Sequence, residues 1–186
     1  NNLAIAMDGY DNGGTTNTGG AQVWTRSGTT WTQQGGNLVP TNTAYSQHGI
    51  GGIKIKGDNL IIGSPYVDST AGAVYYYSRS GTTWTYRQKV VSNSSYSNAR
   101  FGEGIDIVGS IMIAGERDNT NTTSGEVHIY SLSGTTWSHG AAITPSDAQG
   151  GDDFGSKLNV KINADGDTIA IGAVSYTHLR AHETRI

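Results

Sequence analysis

The pentapeptide Ser-Gly-Thr-Thr-Trp occurs three times in this chain, at residues 27–31, 80–84 and 133–137, so that its tryptophans lie 53 residues apart. Three further sets of residues recur with the same spacing: Gly19, Gly72 and Gly125; Trp24, Tyr77 and Tyr130; and His48, Phe101 and Phe154, each of the last set followed by glycine. Self-similarity at a fixed period is typical of repeat architectures, so the repeat has to be interpreted before any other feature.

A period of 53 residues is close to the length of β-propeller blades, each of which has four antiparallel strands. The alternation of apolar and polar residues predicts strand A at residues 53–55, 105–107 and 158–160 (Leu158-Asn159-Val160 in the last repeat). Apolar runs predict strand B at residues 3–6, 60–63, 111–115 and 169–172. Gly57-Asp58 and Gly109-Ser110 are expected to join A to B as two-residue hairpin turns.

Strand C is predicted at residues 21–25, 73–78 and 126–131, and strand D begins at the tryptophan of each pentapeptide. No stretch predicts a helix. The sequence therefore predicts an all-β chain, a partial β-propeller of four-stranded antiparallel blades. Its parts are a partial blade at 1–47, blades at 48–100 and 101–153, and a partial blade at 154–173. Because about 3.3 repeats cannot close a ring of roughly 4 to 8 blades, we expect a fragment of a larger ring.

The last segment, residues 174–186, departs from the repeat where a loop and a strand C should follow. Its reverse translation resembles the mosaic end and primer site of a common sequencing adapter read through in frame. The alternative is a divergent continuation of the repeat. We expect residues 174–186 to be an adapter artefact and exclude them from functional reasoning.

Composition excludes several classes of function. Glycine, threonine, serine and asparagine make up 80 of the 186 residues, and the net charge is −3. Without a basic surplus, binding to a phosphate backbone is not expected, and no apolar run is long enough to predict a membrane span. The chain contains no cysteine, so disulfide frameworks, thiolate metal sites and cysteine nucleophiles are excluded.

Several motifs together resemble the FG-GAP repeats of integrin α-chain propellers and of bacterial secreted and surface proteins. The Phe-Gly element occurs at 101–102 and 154–155, a Gly-Ser-Pro element at 63–65, a truncated Gly172-Ala173 in the last repeat, and a Gly-Ala-Val-Tyr strand at 72–75. Departures are His48 in place of phenylalanine, and Gly115-Glu116-Arg117 and Ala6-Met7-Asp8 in place of Gly-Ala-Pro. The resemblance implies a seven-bladed propeller, secreted or at the cell surface, that serves adhesion or protein recognition and is not an enzyme.

Calcium is the first cofactor to consider, because some FG-GAP repeats carry an Asp-rich loop between strands A and B. Asn163, Asp165 and Asp167 present oxygens at alternate positions, as a calcium loop requires. The same stretch is equally a plain Asp-Gly hairpin turn, whereas the turns at 57–58 and 109–110 are too short to wrap a cation. Calcium therefore stays one of two interpretations of residues 163–167.

Catalytic groups are scarce in residues 1–173. The only histidines in that part of the sequence are His48, His128 and His139. His48 occupies the phenylalanine position of the repeat and His128 the position of Tyr75, which favours structural roles for both. The run Tyr75-Tyr76-Tyr77 and the tryptophan column are expected to pack between blades, because alternation sends neighbouring side chains to opposite faces. The sequence predicts no catalytic residue.

Ligands are expected at one end of the blades. The A–B and C–D turns share one end and are short, whereas the B–C loops and D–A connections share the other end and differ between repeats. Variable loops on a constant scaffold usually carry binding, although solvated loops without a ligand are the alternative. The predicted ligand-binding residues are Tyr10, Asp11, Tyr66, Asp68, Tyr96, Arg100, Arg117 and Asp118. The expected partner is a protein or a glycan, together with the remaining blades of the parent chain; the alternative function is a carbohydrate-binding accessory propeller of a secreted hydrolase.

Overall fold

The computed structural model describes residues 2–41, 43–94, 98–117, 124–156 and 159–173, and the backbone of 182–185. Within these ranges the regular secondary structure consists of strands apart from one short helical turn, as expected for an all-β chain. The strands are β1 (Asn2–Ala6), β2 (Ala21–Ser27), β3 (Thr30–Gln33), β4 (Ile53–Lys56), β5 (Asn59–Ser64), β6 (Ala73–Ser80), β7 (Thr83–Val90), β8 (Gly104–Val108), β9 (Ile111–Glu116), β10 (Glu126–Ser133), β11 (Thr136–Ile143), β12 (Val160–Ile162), β13 (Thr168–Ile171) and β14 (His182–Arg185). One short helical turn, α1 (Val67–Thr70), lies between β5 and β6.

These strands form four antiparallel sheets, each in simple up-and-down order. Sheet I is β1-β2-β3, sheet II is β4-β5-β6-β7, sheet III is β8-β9-β10-β11, and sheet IV is β12-β13-β14. Sheets II and III confirm the expected four-stranded antiparallel units. In the described part of the chain no helix is long and apolar enough to cross a membrane.

Two sequence predictions need correction. The last strand A, expected from Leu158 to Val160, is found at Val160–Ile162; Leu158 lies outside the described residues. Asn159 precedes the strand, although its carbonyl still accepts the Gly172 N–H at 2.8 Å. A helical turn was not expected, and α1 forms where left-handed backbone dihedrals close the β5–β6 loop on itself.

Glycine supplies the tight turns at one end of sheets II and III, as predicted. Gly57 and Gly109 have φ of 58° and 52°, and each opens a two-residue turn between paired strands. A positive φ at the first turn position is what a hairpin matching the right-handed strand twist needs, and glycine adopts it without steric cost. The turns at this end of sheets II and III are therefore short and alike.

The sheets stack face to face, with an apolar layer between each neighbouring pair. The layer between sheets I and II contains Val23, Leu60, Ile62, Tyr75 and Tyr77; the next contains Ile61, Tyr76, Ile105, Met112 and Tyr130; and the last contains Ile113, Val127, Val160 and Ile169. The three consecutive tyrosines thus divide between two layers, as alternation predicted. Each fully buried apolar side chain contributes about 1.5–3 kcal/mol, so these layers hold the stack together.

The tryptophan column shows that each sheet packs through the same face onto the sheet before it. Trp84 and Trp137 are 8% and 3% exposed, and the Trp84 Nε1 donates a hydrogen bond to Gln34 Oε1 of the preceding connection at 2.9 Å. Trp31, for which the described residues contain no sheet on that side, is 42% exposed, and Leu3 and Ile5 of the same sheet region are exposed as well. The expected packing role of the column is confirmed for the second and third tryptophans.

Close backbone approach between repeats explains the glycines at Gly63 in β5 and Gly115 in β9. A Cβ at Gly63 would lie 2.2 Å from the Gly102 carbonyl oxygen, and one at Gly115 would lie 1.9 Å from that of Gly155. The Gly102 N–H in turn donates to the Gly115 carbonyl at 2.9 Å, which joins the start of one repeat to its own second strand. A side chain at either position would force neighbouring sheets apart.

Candidate ligand-binding cleft

A cleft of about 240 Å³ opens between sheets I and II at the end of the stack that carries the variable loops. It is hereafter called the Lys89 cleft. Its lining comes from three parts of the chain: the β3–β4 connection (Thr41, Thr43, Ala44, Ser46), the β5–β6 loop (Tyr66, Val67, Asp68, Ser69), and the strands β6 and β7 (Tyr75, Lys89). Hydroxyl groups and one ion pair dominate this lining.

The ion pair at the cleft joins Lys89 Nζ to Asp68 Oδ2. The two side chains are 31% and 50% exposed, so both remain accessible to solvent. Burial alone would lower the pKa of Lys89, but the Asp68 carboxylate outweighs it and holds the pKa of Lys89 above its ordinary value. The cleft therefore offers a fixed ammonium donor beside a carboxylate acceptor at neutral pH.

An aromatic ring with a cation behind it forms one wall. Tyr66 lines the cleft, and the guanidinium carbon of Arg100 lies 5.2 Å from the centre of its ring. Arg100 also approaches Glu103, at 4.0 Å between Nη1 and Oε1. Stacking of this kind restrains the ring of Tyr66.

The backbone that presents Asp68 is unusual. Asp68, Ser69 and Thr70 all have positive φ, at 53°, 57° and 69°. Left-handed conformations are unfavourable for residues with a Cβ, so three in succession must be held by their surroundings. Hydrogen bonds do this: the Gly72 N–H donates to the Val67 carbonyl at 3.1 Å, and the Arg100 N–H donates to the Thr70 carbonyl at 2.9 Å.

The floor of the region contains a buried histidine held between two hydroxyls. His48 Nε2 lies 2.8 Å from Thr41 Oγ1, and its Nδ1 lies 2.7 Å from Ser64 Oγ. The ring of Tyr75 meets that of His48 edge to face at 5.0 Å. Burial lowers the pKa of His48 to about 4, so the ring is neutral at pH 7. Because Ser64 is fully buried, this serine–histidine contact is out of reach of a substrate.

The equivalent position in sheet III is filled by a different polar network. His128 occupies the place of Tyr75, and its Nε2 lies 3.0 Å from Glu116 Oε2, while its Nδ1 lies 3.2 Å from His139 Nε2. Ser92 and Ser94 donate to the Glu116 carboxylate. Burial alone would raise the pKa of Glu116, but these hydrogen bonds outweigh it and lower the pKa. A buried carboxylate with three partners of this kind stabilises the interface between sheets.

The predicted ligand-binding residues are only partly brought together. Tyr66 and Asp68 line the Lys89 cleft, with Arg100 behind Tyr66. In the β1–β2 loop, the Tyr10 carbonyl accepts hydrogen bonds from the Thr18 hydroxyl and the Gly19 N–H, and Asp11 Oδ1 accepts the Asn17 N–H at 2.7 Å. Their binding role stays a prediction.

The other predicted ligand residues lie elsewhere. Arg117 pairs with Asp153, 3.1 Å apart, and the two side chains are only 16% and 12% exposed. This pair joins the end of β9 to the connection before Phe154. Tyr96 and Asp118 lie outside the described residues. A binding role for Arg117 would have to use a side chain that is already engaged and largely buried.

The residues considered for calcium form a closed turn in the structure. The Asn163 side-chain oxygen accepts the N–H groups of Asp167 and Thr168, both at 3.1 Å, and its amide donates to Asp167 Oδ1 at 2.7 Å. In the described ranges no group of three or more His, Cys, Asp or Glu side chains is placed to hold a metal ion. Asn163 and Asp167 thus bond to each other and to the turn, which favours the hairpin interpretation over calcium; Asp165 is exposed beside them.

Sequence reasoning missed Lys89, Thr41 and the contacts of His48. Lys89 is the penultimate residue of β7, and 53 residues later the corresponding residue is Ala142. His48 and Lys89 are both departures from the repeat, and they lie on the same interface. The departure of both residues from the repeat was the signal that the sequence offered, and the structure adds that they share an interface.

No protein-family model matches this chain, and no curated protein was found that is similar to it. The resemblance to FG-GAP repeats therefore depends on the motifs quoted above.

Proposed function

We propose that this chain is a non-catalytic, extracellular β-propeller repeat module that serves adhesion or protein recognition, and that its ligands bind at the end formed by the variable loops. The observation that carries this proposal is the Lys89 cleft, which the β3–β4 connection and the β5–β6 loop form together. Two of its lining residues, Tyr66 and Asp68, belong to the set that the sequence singled out for ligand binding.

A propeller of FG-GAP type is supported by backbone conformations that recur with the sequence period. Left-handed φ values occur at Gln47, Arg100 and Asp153, each 53 residues after the last and each just before the His-Gly or Phe-Gly element. Isolated parallel bridges join Gly19 to His48 and Gly72 to Phe101 in the same register. An unfavourable backbone conformation that recurs at the same repeat position indicates that the junction between successive sheets is built in the same way each time.

The non-catalytic part of the proposal is supported by the accessibility of the acid–base groups. His48 and Ser64 are fully buried, and His128 and Glu116 are each 2% exposed. Nucleophilic or general acid–base catalysis requires these groups to reach a substrate. The cysteine-free, hydroxyl-rich composition is compatible with a secreted or surface location.

A second candidate function is a carbohydrate-binding accessory propeller of a secreted hydrolase. The specific observation in its favour is the polar character of the Lys89 cleft, with several hydroxyls, two tyrosines (Tyr66 and Tyr75) and an accessible ion pair. Protein interfaces usually have an apolar centre, whereas polar groups make up the larger part of this cleft's lining.

Binding of the full chain to an array of purified extracellular-matrix proteins and glycans tests the proposal. We expect at least one ligand, and we expect Tyr10→Ala/Tyr66→Ala at the loop end to weaken it at least tenfold. Asp58→Ala, in the turn at the opposite end, is the matched control and should leave affinity unchanged. Ligand binding that Asp58→Ala abolishes and the double variant preserves would contradict the proposal, as would hydrolysis of a substrate that requires His48.

A further inference from the structure

We propose that the Lys89 cleft binds one neutral monosaccharide unit of a glycan, with the Lys89–Asp68 pair bonding to adjacent sugar hydroxyls. This inference rests on the proposed function, because it assumes that the loop end is the binding face. It specifies the ligand class and the residues that select it.

Size limits the ligand. Pockets for drug-sized molecules have volumes of roughly 300–1,000 Å³, and the Lys89 cleft, at about 240 Å³, lies below that range. It therefore accommodates a single ring with its substituents and not an oligosaccharide or a folded peptide segment. A longer glycan would enter with one terminal unit.

Hydrogen-bonding capacity matches a polyhydroxylated ligand. The Asp68 carboxylate accepts hydrogen bonds and the Lys89 ammonium donates them, so a pair of neighbouring hydroxyls can bond to both at once. Thr43 and Ser69 add hydroxyls that can donate or accept hydrogen bonds. Hydrogen bonds to charged groups are stronger than those between neutral groups, which places most of the selectivity on the ion pair.

Charge selects against acidic sugars. Lys89 and Asp68 neutralise each other, so the cleft presents no net positive charge to a ligand. A uronic or sialic acid carboxylate approaching Lys89 would also approach the Asp68 carboxylate, and like charges at that distance repel. The pair therefore favours neutral sugars.

The site is also rigid before ligand binds. Hydrogen bonds from the Gly72 and Arg100 N–H groups hold the backbone turn that carries Asp68. Arg100 also restrains the ring of Tyr66, which can cover the apolar face of a sugar ring. Groups fixed in advance lose little conformational entropy on binding, and this is how a small, solvent-exposed cleft obtains measurable affinity.

The test is a titration of the full chain with methyl glycosides of glucose, galactose, mannose and N-acetylglucosamine, in which NMR chemical-shift changes measure binding. We expect at least one to bind with a Kd on the order of 1 mM, as a ligand of this size allows. Asp68→Asn should weaken binding about tenfold or more, because a charged acceptor is lost while asparagine tolerates the left-handed backbone. Asp58→Asn is the matched control, since Asp58 is likewise an exposed aspartate in an ion pair, with Arg79 at 2.7 Å, and it should leave glycoside binding unchanged.

Three results would overturn the inference: no binding of any neutral glycoside, binding that Asp68→Asn leaves unchanged, or binding of methyl glucuronide alone that Asp68→Asn strengthens. If the chain still bound a matrix protein through Tyr10 and Tyr66, the proposed function would stand and only the sugar assignment would fail. If neither the ligand array nor the glycoside titration showed binding, both the proposed function and the sugar assignment would be rejected.

Discussion

Protonation of His48 should destabilise the fold in mild acid. Its pKa is 6.5 in an unfolded chain and about 4 in the folded protein, because burial disfavours the charged ring. The unfolded state therefore binds more protons between these values, and stability falls as pH decreases through that window. From these two pKa values the His48 contribution between pH 7 and pH 5 is a loss of about 2 kcal/mol.

The perturbation that tests this is His48→Phe combined with Ser64→Ala. Phenylalanine is the residue at the equivalent position Phe101, and removing the Ser64 hydroxyl avoids leaving a buried polar group without its partner. The double variant lacks the titrating group, so its free energy of unfolding should fall by about 2 kcal/mol less than that of the parent chain between pH 7 and pH 5. Ser64→Ala alone is the control for the lost hydroxyl.

Urea denaturation followed by tryptophan fluorescence at pH 7 and pH 5 measures the difference directly. Apart from Ser64, the groups facing the ring are Thr41, Tyr75 and Lys89, and all three are retained in every variant. If parent and double variant lost the same stability over this range, His48 would not be the buried neutral ring described above, and the reasoning would be refuted.

Two further predictions concern the stacking of the sheets. Trp84→Ala and Trp137→Ala should each lower the free energy of unfolding by about 3–5 kcal/mol in urea denaturation. Trp31→Ala should lower it by about 1 kcal/mol, because its side chain is 42% exposed. Equal losses would mean that the first sheet is covered in solution. Gly115→Ala should cost about 2 kcal/mol or more, since its Cβ would lie 1.9 Å from the carbonyl oxygen of Gly155 in the following repeat. Gly140→Ala, whose nearest contact would be 3.5 Å, should stay within about 0.5 kcal/mol. Similar melting temperatures for both variants would contradict the close approach.

The sequence by itself determined the local architecture. The 53-residue period, the alternation of apolar residues and the glycines at Gly57 and Gly109 were enough to predict the antiparallel strands and their tight turns. These features depend on residues close in sequence, where side-chain period and positive φ act directly. The division of the tyrosine run between two layers followed from the same alternation.

Only the tertiary structure decided where chemistry converges. Asp68 lies in the β5–β6 loop and Lys89 in β7, and Thr41 of the β3–β4 connection joins them at the Lys89 cleft although it is distant in the sequence. The engagement of Arg117 with Asp153 and the burial of His48 likewise depend on neighbours distant in the chain. Strand patterns are local properties of the sequence, whereas a cleft between sheets is set by packing across them, which no local pattern encodes.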